Sequence, residues 1–163
     1  MLVVDILSPS RVSVAGLGAG AKGADVETKQ AVLHRLAELL CSGESALDPV
    51  KIEQMLLKRE EQQSTGVGGG VAIPHAAIEE LDHIVGAVLL CPKPVGFDAI
   101  DGLPVSIFFA VIGPRRAVGE HLKTLARVSR LLRDDHFRKR LVSAVDGRTA
   151  FELIASEEGR PAV

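Results

Sequence analysis

Residues 65–75 carry the most information about the fold, and they read Thr65-Gly66-Val67-Gly68-Gly69-Gly70-Val71-Ala72-Ile73-Pro74-His75. Glycines have no Cβ, so backbone N–H groups in such a segment can come close to an anion. Proline fixes its own φ and favours an extended conformation for the residue before it. The stretch therefore predicts a glycine-rich loop followed by a short, stiff strand that ends in a histidine.

His75 is the first candidate for chemistry. Near neutral pH an imidazole is partly unprotonated, so one ring nitrogen can attack a phosphorus atom while the other is held by a hydrogen bond. A phosphoryl group carries about two negative charges at neutral pH, and N–H donors stabilise such charge. The amides of Gly68, Gly69 and Gly70 are candidates for those donors. The alternative is an ordinary glycine turn with His75 as a polar strand end, and the pattern alone leaves both open.

Two other kinds of site are not supported by this pattern. The glycines are not followed by Gly-Lys-Ser or Gly-Lys-Thr, so a nucleotide-binding P-loop is not predicted. A metal site built from His75, His83 and His121 is conceivable, but no HxH, HExxH or paired-cysteine motif supports it. We therefore expect neither a metal nor another cofactor. His34, His83 and His136 are expected to be structural.

Length and composition favour one domain with an aliphatic core. The chain has 163 residues, of which 47% are hydrophobic but only 3% aromatic. So few aromatic side chains argue against binding of single-stranded nucleic acid or of sugars in an aromatic cleft. The net charge of −2 provides no general basic field that would attract nucleic acid or anionic lipid. We therefore expect no nucleic-acid partner.

The location predicted from the sequence is the cytoplasm. Cys41 and Cys91 lie far apart in apolar surroundings, which favours two reduced thiols over a disulfide. No apolar run reaches the length of a membrane span, and the start of the sequence lacks the pattern of a signal peptide. We expect no direct insertion into a membrane.

Helix and strand patterns alternate along the chain. The spacing of apolar residues predicts five helices, over residues 27–41, 49–61, 118–134, 135–145 and 148–157. Runs of β-branched and apolar residues predict strands over 11–14, 83–91 and 104–112, the last two ended by proline and glycine. This order predicts an α/β (α+β) fold, a single-domain sandwich with a mixed β-sheet flanked by helices on both faces.

His121 lies near the start of the predicted helix 118–134. The residues at helical offsets from it, Leu125, Val128 and Leu132, are all apolar, so we expect its ring to face inward. The first turn of a helix favours an anion, because its N–H groups are free and the helix dipole is positive there. The alternative is a core histidine bonded to a carbonyl group. A second inward-facing histidine on a separate element favours a site shared with His75.

Arg59 closes the second predicted helix, shortly before Ser64 and Thr65. A guanidinium group can hold a phosphate with two parallel hydrogen bonds, and the two hydroxyls can donate to the same anion. Equally, an arginine at a helix end is often solvated or interacts with the helix dipole, and Ser64 and Thr65 can cap the turn.

Positive charge is concentrated in the C-terminal third of the chain. The cations there are Arg127, Arg130, Arg133, Arg138, Lys139 and Arg140. They form either a solvated helix face, which is the usual explanation, or a docking patch for an acidic partner surface.

Four stretches of the chain together match one known pattern. They are Arg59-Glu60 with Ser64-Thr65-Gly66, Gly70-Val71-Ala72-Ile73-Pro74-His75-Ala76, Val95-Gly96-Phe97-Asp98-Ala99-Ile100-Asp101-Gly102-Leu103-Pro104-Val105, and His121-Leu122-Lys123-Thr124-Leu125-Ala126-Arg127-Val128. With them the chain resembles the enzyme IIA domain of the fructose/mannitol type in the phosphoenolpyruvate-dependent phosphotransferase system, and most closely its nitrogen-regulatory branch. The resemblance covers about residues 27–157. It divides the chain into a poorly matched segment, 1–24, and an enzyme IIA domain (type 2), 25–160.

The resemblance implies a phosphotransferase that works through a phosphohistidine. His75 would accept a phosphoryl group from a small HPr-like carrier, His121 would be the second active-site histidine, and Arg59 would lie beside the phosphate. Ser64, Thr65 and the three glycines remain candidates for phosphate binding from the residue pattern. In this branch the phosphorylation state tends to regulate nitrogen- and potassium-related partners, such as a sensor kinase or a potassium transporter, rather than to drive sugar uptake.

One departure and two alternatives stay open. Family members often carry a basic residue just after the Ile-Pro-His element, whereas Ala76 and Ala77 stand here, which weakens the local positive charge that would face an acidic carrier. The first alternative is a sugar-specific IIA component that passes phosphate to a IIB transporter domain. The second is a regulatory binding module without catalysis.

Overall fold

Within residues 1–16 and 26–159, which the computed structural model describes, a mixed β-sheet of six strands lies between two layers of helices. The strands are β1 (Val12–Val14), β2 (Gly66–Gly68), β3 (Val71–Ala72), β4 (His75–Ile78), β5 (Val85–Val95) and β6 (Val105–Pro114). The helices are α1 (Lys29–Cys41), α2 (Pro49–Gln62), α3 (Val118–Leu131), α4 (Asp135–Val142) and α5 (Gly147–Glu158). Two single-turn 3₁₀ helices, Val3–Ile6 and Pro9–Arg11, precede β1.

The two longest strands, β5 and β6, form the centre of the sheet. They pair antiparallel, with Val88 opposite Phe109. β1 joins the other side of β5 as a parallel strand. β3 and β4 lie one after the other along the free side of β6, both parallel to it, and β2 pairs antiparallel with β3. Because β4 pairs with β6 alone among the described strands, it is an edge strand.

Each face of the sheet has its own hydrophobic core, because side chains alternate between the faces along β5 and β6. One face presents Leu89 and Phe108 to α1 and α2. The opposite face presents Val88 and Phe109 to α3, α4, α5 and the N-terminal turns. All four side chains are fully buried. The predicted fold class, a mixed sheet with helices on both faces, is therefore confirmed.

The first residues of the chain pack into the same fold. β1 extends the sheet, and Val3 and Ile6 belong to the core under α3–α5. The carboxylate of Glu158, at the end of α5, accepts the N–H groups of Val3 at 2.6 Å and Val4 at 2.8 Å. Most of the Gly/Ala-rich part of the predicted segment 1–24 lies outside the described residues, so the predicted domain bounds stay a prediction.

The predicted strands are present, but β5 runs on to Val95 although Pro92 and Pro94 were expected to end it. Both prolines are exposed, and the pairing of β5 with β6 is irregular between Leu90 and Val95. Proline lacks an N–H group, so it is tolerated in a strand where regular pairing is already interrupted.

Helix ends are also shifted relative to the predictions. α3 ends at Leu131 rather than at Asp134. The carboxylate of Asp134 instead accepts the N–H groups of His136 and Phe137 and so caps the start of α4. A side chain that competes for backbone N–H groups in this way favours a helix boundary over a helix interior.

The stretch 65–75 forms three short strands instead of a loop and one strand. β2 and β3 make a hairpin whose turn contains Gly69 and Gly70, with φ of 67° and 79°. Glycine adopts this left-handed region without strain. After a break of two residues the chain enters β4, of which His75 is the first residue. The prediction that His75 ends a strand is therefore wrong, since it begins one.

Candidate active site

A cleft of about 430 Å³ opens at the edge of the sheet beside β4. Its walls come from α2, β4, the end of β6 and the first turns of α3. Since α2 belongs to one helical layer and α3 to the other, both layers meet at this edge. His75, His121 and Arg59 all line the cleft, so the structure brings these three predicted residues together.

The imidazole of His75 is held in one tautomer by the main chain. Its Nδ1 lies 2.8 Å from the carbonyl oxygen of Ile73. A carbonyl oxygen can only accept, so Nδ1 carries the proton and the lone pair of the neutral ring stays on Nε2. His75 therefore brings an unprotonated ring nitrogen to the cleft.

Burial lowers the pKa of His75 below its ordinary value of 6.5. The hydrogen bond to Ile73 and the charge of Glu60 oppose this change in pKa, whereas the guanidinium group of Arg59 adds to it. The ring is consequently neutral at physiological pH, which is the state that a nucleophile needs.

The backbone on both sides of this hydrogen bond is itself hydrogen-bonded to neighbouring segments. The N–H of Ile73 donates to the carbonyl of Thr65 at 3.0 Å, and the N–H of Val111 donates to the carbonyl of Pro74 at 2.9 Å. β4 then runs parallel to β6, with His75 opposite Val111. The carbonyl of Ile73 therefore cannot turn away from the imidazole without breaking neighbouring backbone hydrogen bonds.

His121 stands beside His75 in the first turns of α3. The two ring centroids are 5.9 Å apart and the ring planes meet at 63°. Only 8% of His121 is exposed, and its Nε2 is buried without a hydrogen-bond partner among the described residues. Burial is the larger cause that lowers the pKa of His121, and repulsion from the His75 ring when that ring is protonated is the smaller. Buried polar atoms normally have partners, so this nitrogen marks a place where a ligand can supply one.

The close packing of His121 against the sheet depends on Gly113 in β6. A Cβ added to Gly113 would lie 3.0 Å from Nδ1 of His121, which is tighter than ordinary van der Waals contact. Sequence reasoning treated Gly113 only as the end of a strand and missed this role. The space it provides becomes visible only when α3 packs on β6.

Arg59 reaches the cleft from the last turn of α2. Its Nη1 donates to the carbonyl of Gln63 at 2.8 Å, and this is its only hydrogen bond within residues 1–16 and 26–159. The other guanidinium N–H groups remain available for an anion. Lys58 and Arg115 also line the cleft, whereas none of the described carboxylates does. The side chains lining the cleft therefore carry an excess of positive charge in a protein of net charge −2, although Arg115 is paired with Glu79 at 3.3 Å.

Comparison with known proteins places the chain in a family. The family model described as "Phosphoenolpyruvate-dependent sugar phosphotransferase system, EIIA 2" matches residues 22–157. The chain belongs to this family. The nitrogen regulatory protein of Bradyrhizobium diazoefficiens is 33% identical over 155 residues, which cover 95% of each chain. That of Escherichia coli K12 is 35% identical over 136 residues, which cover 83% of each.

Solved structures agree with this assignment of the IIA domain. The crystal structure of nitrogen regulatory protein IIA-Ntr from Neisseria meningitidis has a TM-score of 0.80 at 30% identity, covering 93% of this chain and 98% of that one. The Escherichia coli complex of enzyme IIAMtl with phosphorylated enzyme IIBMtl shares the fold, with a TM-score of 0.67 at 21% identity, covering 86% and 99%. The predicted resemblance is confirmed, and the chain is a phosphocarrier domain of the IIA-Ntr type.

Within this IIA domain, the two predicted hydroxyl groups are already engaged. Ser64 Oγ donates to the carbonyl of Phe97 at 2.8 Å, and Thr65 Oγ1 donates to the carboxylate of Glu60 at 2.6 Å. Neither residue lines the cleft. The structure therefore gives no support to the predicted contact of Ser64 or Thr65 with a phosphate.

The glycine turn of the IIA domain is also separated from His75. The carbonyl of Gly70 is hydrogen-bonded to the start of β6, whereas His75 pairs near its other end. The N–H of Gly69 already donates to the carboxylate of Asp101 at 3.0 Å. Gly68, Gly69 and Gly70 do not line the cleft, so the structure gives no support to their predicted phosphate binding, which stays a prediction.

The remaining histidines lie outside the cleft. His34 contacts the carboxylate of Glu53, and His83 contacts those of Asp82 and Glu44. Within the described ranges, no group of three or more His, Cys, Asp or Glu side chains is arranged to hold a metal ion. None of the described helices is long and apolar enough to span a bilayer.

We expect the stability of the unphosphorylated IIA domain to fall as the pH drops through 6.5. The folded-state pKa values of His75 and His121 lie below their ordinary value of 6.5, so the unfolded chain binds more protons in this range and acid favours unfolding. The measurement is the free energy of unfolding in urea from about pH 8 to about pH 5.5. A His75→Gln/His121→Gln variant should lose less stability on acidification than the wild type.

The titration of His83 changes the stability in the opposite direction with pH, so His83 serves as the control. Its hydrogen bonds to Asp82 and Glu44 raise its pKa, so its contribution is present below 6.5 and is lost as the pH rises through the folded-state value. His83→Gln in both backgrounds removes this contribution. Equal acid sensitivity of the wild type and the double variant would contradict the neutral, buried state assigned to the two cleft histidines.

Proposed function

We propose that this domain carries its phosphoryl group on Nε2 of His75 and receives it from a phosphohistidine of an HPr-like carrier. The observation that supports this most is the hydrogen bond from Nδ1 of His75 to Ile73, which leaves Nε2 as the ring nitrogen able to attack. Domains of this family pass phosphate from HPr-type proteins and to IIB domains. Such a relay requires one accessible acceptor on each carrier.

The transfer is an exchange between two imidazoles. The lone pair of Nε2 of His75 forms a bond to phosphorus while the bond from phosphorus to the donor ring breaks, and its electrons return to that ring. His75 keeps its Nδ1 proton and becomes cationic, which strengthens its hydrogen bond to the Ile73 carbonyl. The donor ring carries a proton on its other nitrogen before the transfer, so it leaves as a neutral imidazole. One phosphoryl group has moved and no proton needs to enter or leave the cleft.

Arg59 and His121 stabilise the charge of the group in transit. The guanidinium group has N–H donors available toward one phosphoryl oxygen. The buried Nε2 of His121, when it bears the proton, donates to another and gains the partner it lacks in the unphosphorylated domain. Because burial lowers the pKa of His121, it acts as a neutral hydrogen-bond donor.

The donor docks over the cleft in this proposal. Val118 and Leu122 on α3 are each 61% exposed, and half-buried Met55 on α2 faces them across the cleft. Exposed apolar side chains grouped around a site favour contact with a partner protein. Lys58 and Arg115 supply positive charge at the same rim, although the residues directly after His75 are neutral.

Regulation is the role we propose for this phosphoryl transfer. The relatives named nitrogen regulatory proteins support it. The phosphorylated and unmodified forms would bind different partners, and the candidates from the family resemblance are a sensor kinase and a potassium transporter. The cytoplasm is the proposed location.

Incubation with a phosphoenolpyruvate-fed donor relay should add one acid-labile phosphate to the wild-type domain. His75→Ala should take up none, because the accepting nitrogen is gone. Radiolabel incorporation and intact mass measure both. The matched control is His136→Ala, an exposed histidine outside the cleft, which should be labelled at the wild-type rate. Labelling of His75→Ala at the normal rate would refute the assignment.

His121→Ala should keep the fold but slow labelling by roughly 10²- to 10³-fold, the usual effect of removing one donor from a developing negative charge. Stopped-time labelling measures the rate, and circular dichroism with urea unfolding checks the fold. If a folded His121→Ala variant is labelled as fast as the wild type, His121 is only a core residue.

A sugar-specific IIA function is the second candidate, favoured by the fold shared with the mannitol IIA enzyme in complex with its phosphorylated IIB partner. Phosphorylated wild-type domain should retain its label when mixed with purified fructose- or mannitol-type IIB domains. Rapid transfer of the label to IIB would favour sugar transport. A domain that is never labelled but still binds regulatory partners would instead be a non-catalytic module.

A further inference from the structure

Glu60 is a buried carboxylate directly beside the proposed site. It follows Arg59 in the last turn of α2 and is only 4% exposed. The helix dipole disfavours an anion at this end of a helix. A buried carboxylate also costs free energy unless it is paired and hydrogen-bonded. Its position therefore requires a specific compensation.

Three donors supply that compensation. Oε1 of Glu60 accepts the N–H of Thr65 at 2.9 Å, and Oε2 accepts the hydroxyl of the same residue at 2.6 Å. Nζ of Lys29, on α1, lies 3.1 Å from Oε1. The carboxylate of Glu60 thus accepts both hydrogen-bond donors of Thr65, the backbone N–H and the hydroxyl.

Thr65 connects Glu60 to the imidazole of His75. The carbonyl of Thr65 accepts the N–H of Ile73 at 3.0 Å. The carbonyl of Ile73 in turn accepts the proton on Nδ1 of His75 at 2.8 Å. A chain of hydrogen bonds through the backbones of Thr65 and Ile73 therefore links the carboxylate of Glu60 to the ring of His75.

We propose that Glu60 is a positioning residue for His75: by holding Thr65 it fixes the backbone of Ile73, and thereby the carbonyl that keeps the proton on Nδ1. The inference rests on the proposed function in one respect, namely that Nε2 of His75 accepts the phosphate. The charge of Glu60 also reaches the ring directly, because it raises the pKa of His75 whereas Arg59 lowers it.

A purely structural clamp is the alternative explanation for Glu60. A clamp that only joins α1 and α2 to the start of β2 would lower the stability of the domain when removed, but it would leave the tautomer of His75 unchanged. The ring-nitrogen NMR spectrum of His75 therefore separates the two explanations, and it does so on the unphosphorylated chain without any donor protein.

The test is Glu60→Gln in the full chain. In the wild type a separate oxygen of Glu60 accepts each donor of Thr65, whereas an amide replaces one of these oxygens by an NH2 group that only donates, so this arrangement is lost. We expect the Nδ1–H tautomer to lose its dominance at alkaline pH, the pKa of His75 to fall, and labelling to slow roughly tenfold, as is typical when a supporting hydrogen bond is lost. The matched control is Glu61→Gln, an exposed neighbour on the same helix, which should change none of these.

A folded Glu60→Gln variant with the wild-type tautomer and labelling rate overturns the proposal. If that variant does not fold, Glu60→Asp replaces it, because it keeps the negative charge while its shorter side chain withdraws the carboxylate from Thr65. A single Nδ1–H tautomer in Glu60→Asp overturns the proposal equally. If the wild-type domain takes up no phosphate, the proposed function fails, whereas the tautomer still decides the role of Glu60.

Discussion

A backbone carbonyl accepts the proton on Nδ1 of His75, and much of what the cleft can do depends on that contact of 2.8 Å with Ile73. A carboxylate or hydroxyl in its place would titrate or rotate, whereas a carbonyl oxygen only accepts and does not titrate. The carbonyl is itself held by the hydrogen bonds of Ile73 to Thr65 and of Val111 to Pro74. The protonation pattern of His75 is thus set by backbone hydrogen bonds at the edge of the sheet.

The position of the cleft follows from the architecture. At the edge strand β4, α2 of one helical layer and α3 of the other line the same cleft beside the end of β6. Each layer contributes one of the predicted site residues to the cleft, Arg59 from α2 and His121 from α3. Side chains anchored on packed helices and strands hold their geometry more closely than side chains on loops.

Burial has two effects at this site. It lowers the pKa of both cleft histidines, which keeps them neutral, and it leaves Nε2 of His121 without a partner among the described residues. An unsatisfied buried polar atom reduces stability, and such local costs are typical of functional sites. In the proposed function phosphoryl oxygens accept from the buried Nε2 of His121 and from Arg59.

The sequence alone determined the alternating helices and strands and the mixed sheet, because the period of hydrophobic residues is a local property. It also identified His75, His121 and Arg59 as candidate site residues, because reactive side chains can be recognised from residue type and position. Only the tertiary structure decided which of these meet. The glycine turn is adjacent to His75 in sequence, yet the hairpin carries it to the opposite end of β6. Conversely, Glu60 and Gly113 acquire their roles only through burial and close packing, which depend on distances between elements far apart along the chain.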